Sequence, residues 1–293
     1  MPRGRASSSK RRKSTGKSEL PSLGQLERML AGPDGAPESA ADRAMELVYQ
    51  AWDASSPAKR VALARRALEI DPTCVDARLL LAHQARTPEQ VVAALEEVVD
   101  LATSALGTSV FSHSRGEFWA VHETRPFMRA KLDLAQALWS FGDRALAVRH
   151  AWELIELNES DNQGVRLLLV TWLLHMRDVA GARALFERFP EDGLAHTRWS
   201  CALAAFMEGG SGERADQLVR AAADENPHVV PLLLGREPLP DSSPMYMGIG
   251  DRDEAVAYVQ QSLALWCEVD GALRWLAELW PVGSIRGQAG QPG

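Results

Sequence analysis

The chain has 293 residues, of which 46% are hydrophobic, and a formal net charge of −7. No run of 18 or more apolar residues predicts a membrane span, and the amino terminus lacks the apolar region of a secretory signal. Three widely spaced cysteines without a CxxC pair argue against a disulfide framework, so we expect a cytoplasmic protein with buried thiols.

The charge is distributed unevenly along the chain. Residues 1–17 contain seven basic residues and no acidic one, so the remainder carries 25 basic and 39 acidic residues. Residues 1–21 also lack apolar periodicity, which predicts a disordered basic tail. The acidic remainder is unlike a surface that binds duplex nucleic acid. A weak contact between residues 3–17 and nucleic acid is one hypothesis for the tail, and a solvated tail is the simpler interpretation.

Residues 22–40 are predicted to form a short helix and a linker. Leucines recur at helical spacing between residues 20 and 30. Glycine and proline then interrupt the pattern between residues 32 and 37, as is typical of a linker.

Two helix pairs are predicted next. Ser56 precedes Pro57, and Thr87 precedes Pro88. Serine and threonine cap the first turn of a helix, and proline fits there because the first turn needs no hydrogen-bond donor. The predicted helices are 42–52, 57–70, 75–85 and 88–106.

The periodic pattern fails at residues 107–125, which we interpret as an insertion loop. Phe118 and Trp119 have large aromatic side chains, which we expect to be buried or in contact with another surface. The simpler interpretation is that these two side chains plug a gap between the halves of the fold. Loops that interrupt a regular scaffold also often carry function.

The same segment contains a cluster of candidates for chemistry. An enzyme of unknown reaction that uses His122 with Glu117 or Glu123 is therefore a second hypothesis for the protein. His113 joins these three residues within a stretch of about ten. Their spacing is irregular and no cysteine is nearby, so we assign no metal, cofactor or catalytic residue.

Residues 128–227 contain three copies of one pattern at a spacing of about 34 residues, which is typical of tetratricopeptide repeats. Small residues recur where the two helices of a pair would cross, at Ala147, Ala182 and Ala215. Pro227 ends the third copy. The sequence therefore predicts an all-α fold, a tetratricopeptide-like solenoid of helix hairpins over residues 41–280. A plain helical bundle is the alternative.

The last part of the chain departs from the repeat. Residues 229–249 are rich in proline and are expected to run across the surface of the last repeat. Two further helices are predicted, 250–265 and 270–280, and they supply the atypical cap that ends a repeat array. Residues 281–293 are rich in glycine, glutamine and proline, which predicts a second disordered tail.

Several short motifs lie outside the generic repeat pattern and extend over roughly residues 44–276. They are Gly116-Glu117-Phe118-Trp119, the run 123–130, Asp161-Asn162-Gln163-Gly164, Asn226-Pro227-His228-Val229, the run 234–240, Gly250-Asp251 and Asp253-Glu254-Ala255. Together they resemble the suppressor of tumorigenicity 7 family, in its soluble bacterial branch. The resemblance implies a helical repeat protein without an assigned reaction. Animal members of that family look membrane-embedded, and this sequence differs from them in having no apolar run of spanning length.

The favoured function is a non-enzymatic scaffold whose concave groove binds a peptide or a partner protein. In such repeats the first helix of each pair lines the groove, and aromatic and arginine side chains often anchor interfaces. No Lys and Asn array typical of a clamp for peptide carboxyl termini is present, so we expect a mixed apolar and polar ligand. Packing of Trp52 and Trp139 between repeats is the alternative. The predicted partner-binding residues are Tyr49, Trp52, His83, Arg86, Arg129, Gln136, Trp139 and His175, with Thr171 and Leu174 beside them.

Deleting residues 1–19 should leave helicity and melting temperature unchanged, because this segment offers almost no apolar surface to bury. Circular dichroism of the full and shortened chains measures both. Any binding of nucleic acid should disappear with the tail and weaken steeply with salt. Binding that survives the deletion and ignores salt would contradict the interpretation of the acidic remainder.

Overall fold

The computed structural model describes Ser22, Gly24, Gln25 and residues 39–244 and 246–281. The predicted tail 1–21, most of the predicted segment 22–40 and residues 282–293 of the second predicted tail lie outside this part. The chain divides into two compact units, residues 1–84 and residues 85–293.

All regular secondary structure in the described residues is helical, as the sequence predicts. The first unit contains α1 Ala40–Trp52, α2 Pro57–Ile70 and α3 Val75–Ala82. The second contains α4 Pro88–His113, a 3-10 turn His122–Thr124, α5 Arg125–Phe141, α6 Arg144–Leu157, α7 Val165–His175, α8 Val179–Arg188, α9 Ala195–Gly209, α10 Glu213–Glu225, α11 Val229–Leu233, α12 Arg252–Glu268 and α13 Ala272–Leu279.

The first unit packs three helices around a core rich in alanine. Helices α1 and α2 pack along each other, and α3 contacts both. Ala44, Ala64 and Ala77 are completely buried, and the small side chains let the helix backbones approach closely. Trp52 lies against this core and is half-buried.

The described part of the amino-terminal segment contacts the end of α1. The side chain of Ser22 and that of Gln25 each accept a hydrogen bond from the other residue's backbone N–H, as in a capping box. The N–H of Gly24 donates to Asp53 (3.2 Å). A Cβ at Gly24 would lie 2.6 Å from the carbonyl oxygen of Tyr49, so only glycine fits this close approach.

The second unit is a succession of helices in which each packs against the next from α4 to α10. Ala147, Ala182 and Ala215, which the sequence places at helix crossings, are all buried. The turns before α6 and α8 are built alike: Asp143 and Asp178 each accept a hydrogen bond from the backbone of the first helical turn. The aspartate and the buried alanine four residues later form one recurring unit.

The segment 107–125 differs from the predicted loop, because helix occupies its first part. Gly107 interrupts α4 with a φ of 69°, which glycine adopts without strain, and the helix then resumes to His113. Phe118 is fully buried and its ring contacts those of Phe111 and Phe127. Its N–H donates to the carbonyl of Leu157 (3.0 Å), which ties the segment to the end of α6.

The carboxyl-terminal helices pack onto the middle of the second unit. Helix α12 contacts both α7 and α9, and α13 follows it. Trp199 of α9 meets Trp266 of α12 with ring centroids 6.3 Å apart, and Phe206 stacks on Trp275 at 4.7 Å. Both rings of the first pair are fully buried, so α12 belongs to the core.

Residues 229–249 also differ in part from the predicted surface segment. Their first five residues form α11, every one of which is buried, and α11 packs against α12. Pro231 is the third residue of α11, where its missing N–H removes no helical hydrogen bond. The sequence predicts a segment on the surface, and its described residues after Leu233 are a mixture of exposed and half-buried ones.

Replacing Ala182 by leucine should destabilise the protein by about 1–3 kcal/mol, because extra methyl groups do not fit a closed helix crossing. Urea denaturation measures the loss. The matched control is Ala184→Leu, since Ala184 is exposed on the same helix, with an expected change within about 0.5 kcal/mol. Equal midpoints for the two variants would contradict the position of Ala182.

Candidate functional site

The candidate site is a stripe of side chains along α5 that the neighbouring helices do not cover. One side of α5 is buried against α4 and α6, through residues such as Leu134 and Leu138. Gln136 and Ser140 are exposed on the other side, with Arg129 half-buried in line with them. Positions three or four residues apart share one face of a helix, so these side chains form a single strip.

The strip ends at an aromatic pair that joins α5 to α7. The rings of Trp139 and Trp172 stack with centroids 4.9 Å apart and planes inclined by 8°. The guanidinium of Arg144 lies 4.7 Å from the centre of the Trp139 ring, a cation–π distance. Trp139 is half-buried while Trp172 is buried, so one ring supports the other at the surface.

His175 connects this site to the carboxyl end of α12. Its Nδ1 lies 2.8 Å from a carboxylate oxygen of Glu268, and its ring lies 6.0 Å from that of Trp139. Arg177 donates to the carbonyl oxygen of Glu268 (2.8 Å). These contacts fix the end of α12 beside the aromatic pair, so His175 is a structural link as well as a predicted contact residue.

The expectation that α7 lines an open groove is wrong. Leu174 is fully buried and Thr171 nearly so. Thr171 Oγ1 lies 2.9 Å from Nε2 of His196 on α9, and the His196 ring meets Tyr258 of α12 at 5.3 Å. The chain's own α12 therefore covers the face of α7 and α9 that the repeat pattern assigns to a ligand.

The remaining predicted contact residues belong to other elements of the chain. In the first unit, Tyr49 is buried, Trp52 is half-buried against the core and His83 is exposed. Arg86 is exposed just before α4 in the second unit. Arg129, Gln136, Trp139 and His175 of the predicted set lie on α5 and α7, whereas Arg144 and Trp172 beside them were not predicted.

The candidates for chemistry in segment 107–125 do not converge. His113 bonds to the carbonyl of Ser109 within its own helix (2.8 Å), and Glu117 pairs through its backbone with Asn158. His122 and Glu123 are exposed in the 3-10 turn. Within residues 39–244 and 246–281, no three His, Cys, Asp or Glu side chains are grouped as metal ligands.

A buried polar cluster holds the amino-terminal ends of α9 and α12 together. The carboxylate of Glu254 accepts hydrogen bonds from the N–H of Ala195 (2.9 Å), Nδ2 of Asn226 (3.0 Å) and the N–H of Gly250 (2.7 Å). His196 lies next to this cluster, and its burial lowers the pKa of the imidazole to about 4. The histidine is therefore neutral at pH 7.

No protein-family model matches the chain. A suppressor of tumorigenicity 7 homologue from Drosophila pseudoobscura pseudoobscura is 25% identical over 265 residues, which are 80% of this chain and 48% of that protein. One from Caenorhabditis elegans is 25% identical over 274 residues, 80% of this chain and 50% of that protein. The chain is thus similar to these relatives over most of its own length and spans about half of theirs.

None of the helices in the described ranges is both long enough and apolar enough to cross a membrane.

Stability should decrease as the pH falls from about 6.5 toward 4. The unfolded chain binds a proton near the ordinary histidine pKa of about 6.5, whereas folded His196 binds it only near pH 4. The unfolded state therefore holds more protons in this window, and the free energy of unfolding falls by up to about 1.4 kcal/mol per pH unit. Urea denaturation at several pH values across the window measures this slope.

The variant His196→Gln separates the contribution of His196 to the pH dependence of stability from the contributions of other titratable groups. His150 contributes in the same direction, since burial and then the neighbouring Lys131 lower the pKa of its imidazole. The variant should lose the part of the slope that belongs to His196 and keep the parts that belong to His150 and, toward pH 4, to carboxylates such as Glu153 and Asp192, whose pKa values are lowered in the fold. A folded variant with the full slope would exclude His196 as its cause.

Proposed function

We propose that this protein is a non-enzymatic scaffold of the tetratricopeptide type, and that it binds a short segment of a partner protein on the α5–α7 surface. The single observation that carries the proposal is the stacked Trp139–Trp172 pair beside Arg144, at the end of the α5 strip. Aromatic and arginine side chains supported by rigid neighbours are the residues that most often dominate binding energy.

Three features support the tetratricopeptide assignment. Successive helices pack in chain order, buried alanines recur at Ala147, Ala182 and Ala215, and aspartate caps recur at Asp143 and Asp178. Stability in such arrays comes from neighbour contacts and leaves extended surfaces available. The similarity to suppressor of tumorigenicity 7 homologues favours a relation to that family, and we place the chain in its bacterial branch as part of the proposal.

The chemistry of the strip suggests the chemistry of the partner. The edge of Trp139 offers apolar contact, Arg144 places a guanidinium group over its ring, and Arg129 lies at the other end of the strip. Guanidinium groups bind carboxylates through paired hydrogen bonds. The proposed partner segment therefore combines an apolar side chain with an acidic one. All three cysteines are unpaired thiols, in agreement with the cytoplasmic location that we propose.

Site-specific photo-crosslinking tests the proposal. In one variant a benzophenone amino acid replaces Ser140, which is exposed at the end of the strip. In a control variant of the same chain it replaces Gln217, which is exposed on α10. After irradiation in a nuclease-treated lysate of the source organism, a discrete protein adduct should form at position 140 and be absent at 217. An adduct that forms only when the nuclease is omitted would contradict the proposal, and so would equal labelling at both positions.

Replacing Arg129 and Gln136 together by alanine should reduce the position-140 adduct roughly tenfold, since contact residues of this kind each contribute about 1 kcal/mol or more. The matched control is Arg214→Ala with Gln217→Ala, which removes the same residue types from α10. Both double variants should keep the wild-type melting temperature. Undiminished capture by the folded first variant would move the binding surface away from α5.

A further inference from the structure

A cavity of about 160 Å³ lies between the amino-terminal halves of α7, α9 and α12. Its walls include the aliphatic side chains of Leu167 and Leu194 and the rings of His196 and Tyr258. An apolar cavity of about 150 Å³ in another protein holds benzene. This one therefore has room for a single ring or a branched aliphatic group.

The mouth of the cavity is formed by the segment 246–250, which exposes large apolar side chains. Met247 and Ile249, both lining the cavity, are 61% and 77% exposed, and the adjacent Tyr246 is 56% exposed. Apolar side chains grouped at the surface beside an apolar cavity mark a binding site more often than chance exposure does. A molecule in the cavity would remove part of Met247 and Ile249 from water.

The backbone of this segment is held in place. The N–H of Gly248 donates to the carboxylate of Asp251 (2.6 Å), and that of Gly250 to Glu254 (2.7 Å). Gly250 has a φ of 81° and a Cβ there would approach the carbonyl oxygen of Glu225 to 3.0 Å. The apolar side chains are thus presented at the mouth by a backbone anchored at its carboxyl end.

The residues that line the cavity include no lysine or arginine, and their one carboxylate, that of Glu254, is already hydrogen-bonded. Glu254 is engaged by three donors, as described above. The hydroxyl of Tyr258 accepts a hydrogen bond from Nε1 of Trp266 (2.8 Å), and burial raises the pKa of that hydroxyl. His196 is neutral because burial lowers its pKa. An anionic group entering this space would lose its hydration without gaining a counter-ion, and a cationic group would meet Glu254 oxygens that already accept three hydrogen bonds.

We propose that this cavity is a binding site for a small uncharged molecule with one aromatic ring or a branched aliphatic body. Such a ligand packs between Leu167, Leu194 and Tyr258 and covers Met247 and Ile249 at the mouth. The amide of Gln261, exposed at the rim, is placed to meet a single uncharged polar substituent. The site is separate from the α5–α7 surface and does not depend on the function proposed for it.

Methyl-labelled methionine in the full chain makes the site visible by NMR, and phenol is the probe. Millimolar phenol should shift the methyl signal of Met247, assigned with Met247→Leu, in a saturable way. Met176 is 42% exposed directly after α7 and reports on nonspecific contact with apolar surface, so its signal should stay unchanged. Benzoate carries a negative charge on the same ring, so its dissociation constant should be at least about tenfold higher than that of phenol.

Two alanine substitutions on α12 complete the test. Ala257 lines the cavity, so Ala257→Leu should fill it and weaken the phenol response of Met247 by roughly tenfold. Ala264 is exposed on the same helix outside the cavity, and Ala264→Leu should bind phenol as the wild type does. Equal shifts of Met247 and Met176, equal binding of benzoate, no shift with phenol, or wild-type binding by Ala257→Leu would each overturn the proposal. If Ala257→Leu does not fold, the contrast between Met247 and Met176 in the wild-type chain decides.

Discussion

The packing of α12 against α7 and α9 is the contact on which the second unit depends. An array of helix hairpins leaves an apolar face uncovered, and here Tyr258 and Trp266 of α12 close it. An aromatic side chain buries about 150–250 Å². At about 25 cal/mol per Å² each ring contributes at most about 4–6 kcal/mol, so the two rings of α12 together contribute at most about 8–12 kcal/mol, which is similar to the total stability of a typical domain. A ligand that replaced α12 would have to supply a similar amount, so α12 is a permanent part of the fold.

This constraint determines where a partner can bind. Because α12 covers α7 and α9, the only part of the predicted groove in the second unit that keeps an exposed helix face is the strip on α5. From Arg129 to Ser140 the strip is about 16 Å long, at 1.5 Å per helical residue. That length matches about five residues of extended chain. The link between His175 and Glu268 bounds the strip at α7, which is why we propose a short partner segment rather than a long peptide lying across every repeat.

Local features were predictable from the sequence where the physical cause is local. The bounds of α2 follow from a helix start at Ser56-Pro57 and a break at Asp71-Pro72, and the predicted bounds 57–70 are confirmed. The buried alanines follow from the repeat spacing. The prediction failed at Gly107, where the pattern indicated the end of a helix. A glycine at positive φ breaks the hydrogen-bond ladder for one residue and lets the helix resume, and composition alone does not separate this from a loop.

The packing of α12 was beyond sequence reasoning because its partners are distant in the chain. Periodicity places Ala255, Val256, Val259 and Leu263 on an apolar face, but it does not say which helices that face meets. Glu254 illustrates the difference. As an acidic residue in the first helical turn it fits the favourable interaction with the helix dipole. The fold gives the same carboxylate a second role, since its donors at Ala195 and Asn226 lie 59 and 28 residues away. Both roles require an acidic residue at this position. The local role already explains the residue, so the sequence gives no separate sign of its long-range hydrogen bonds.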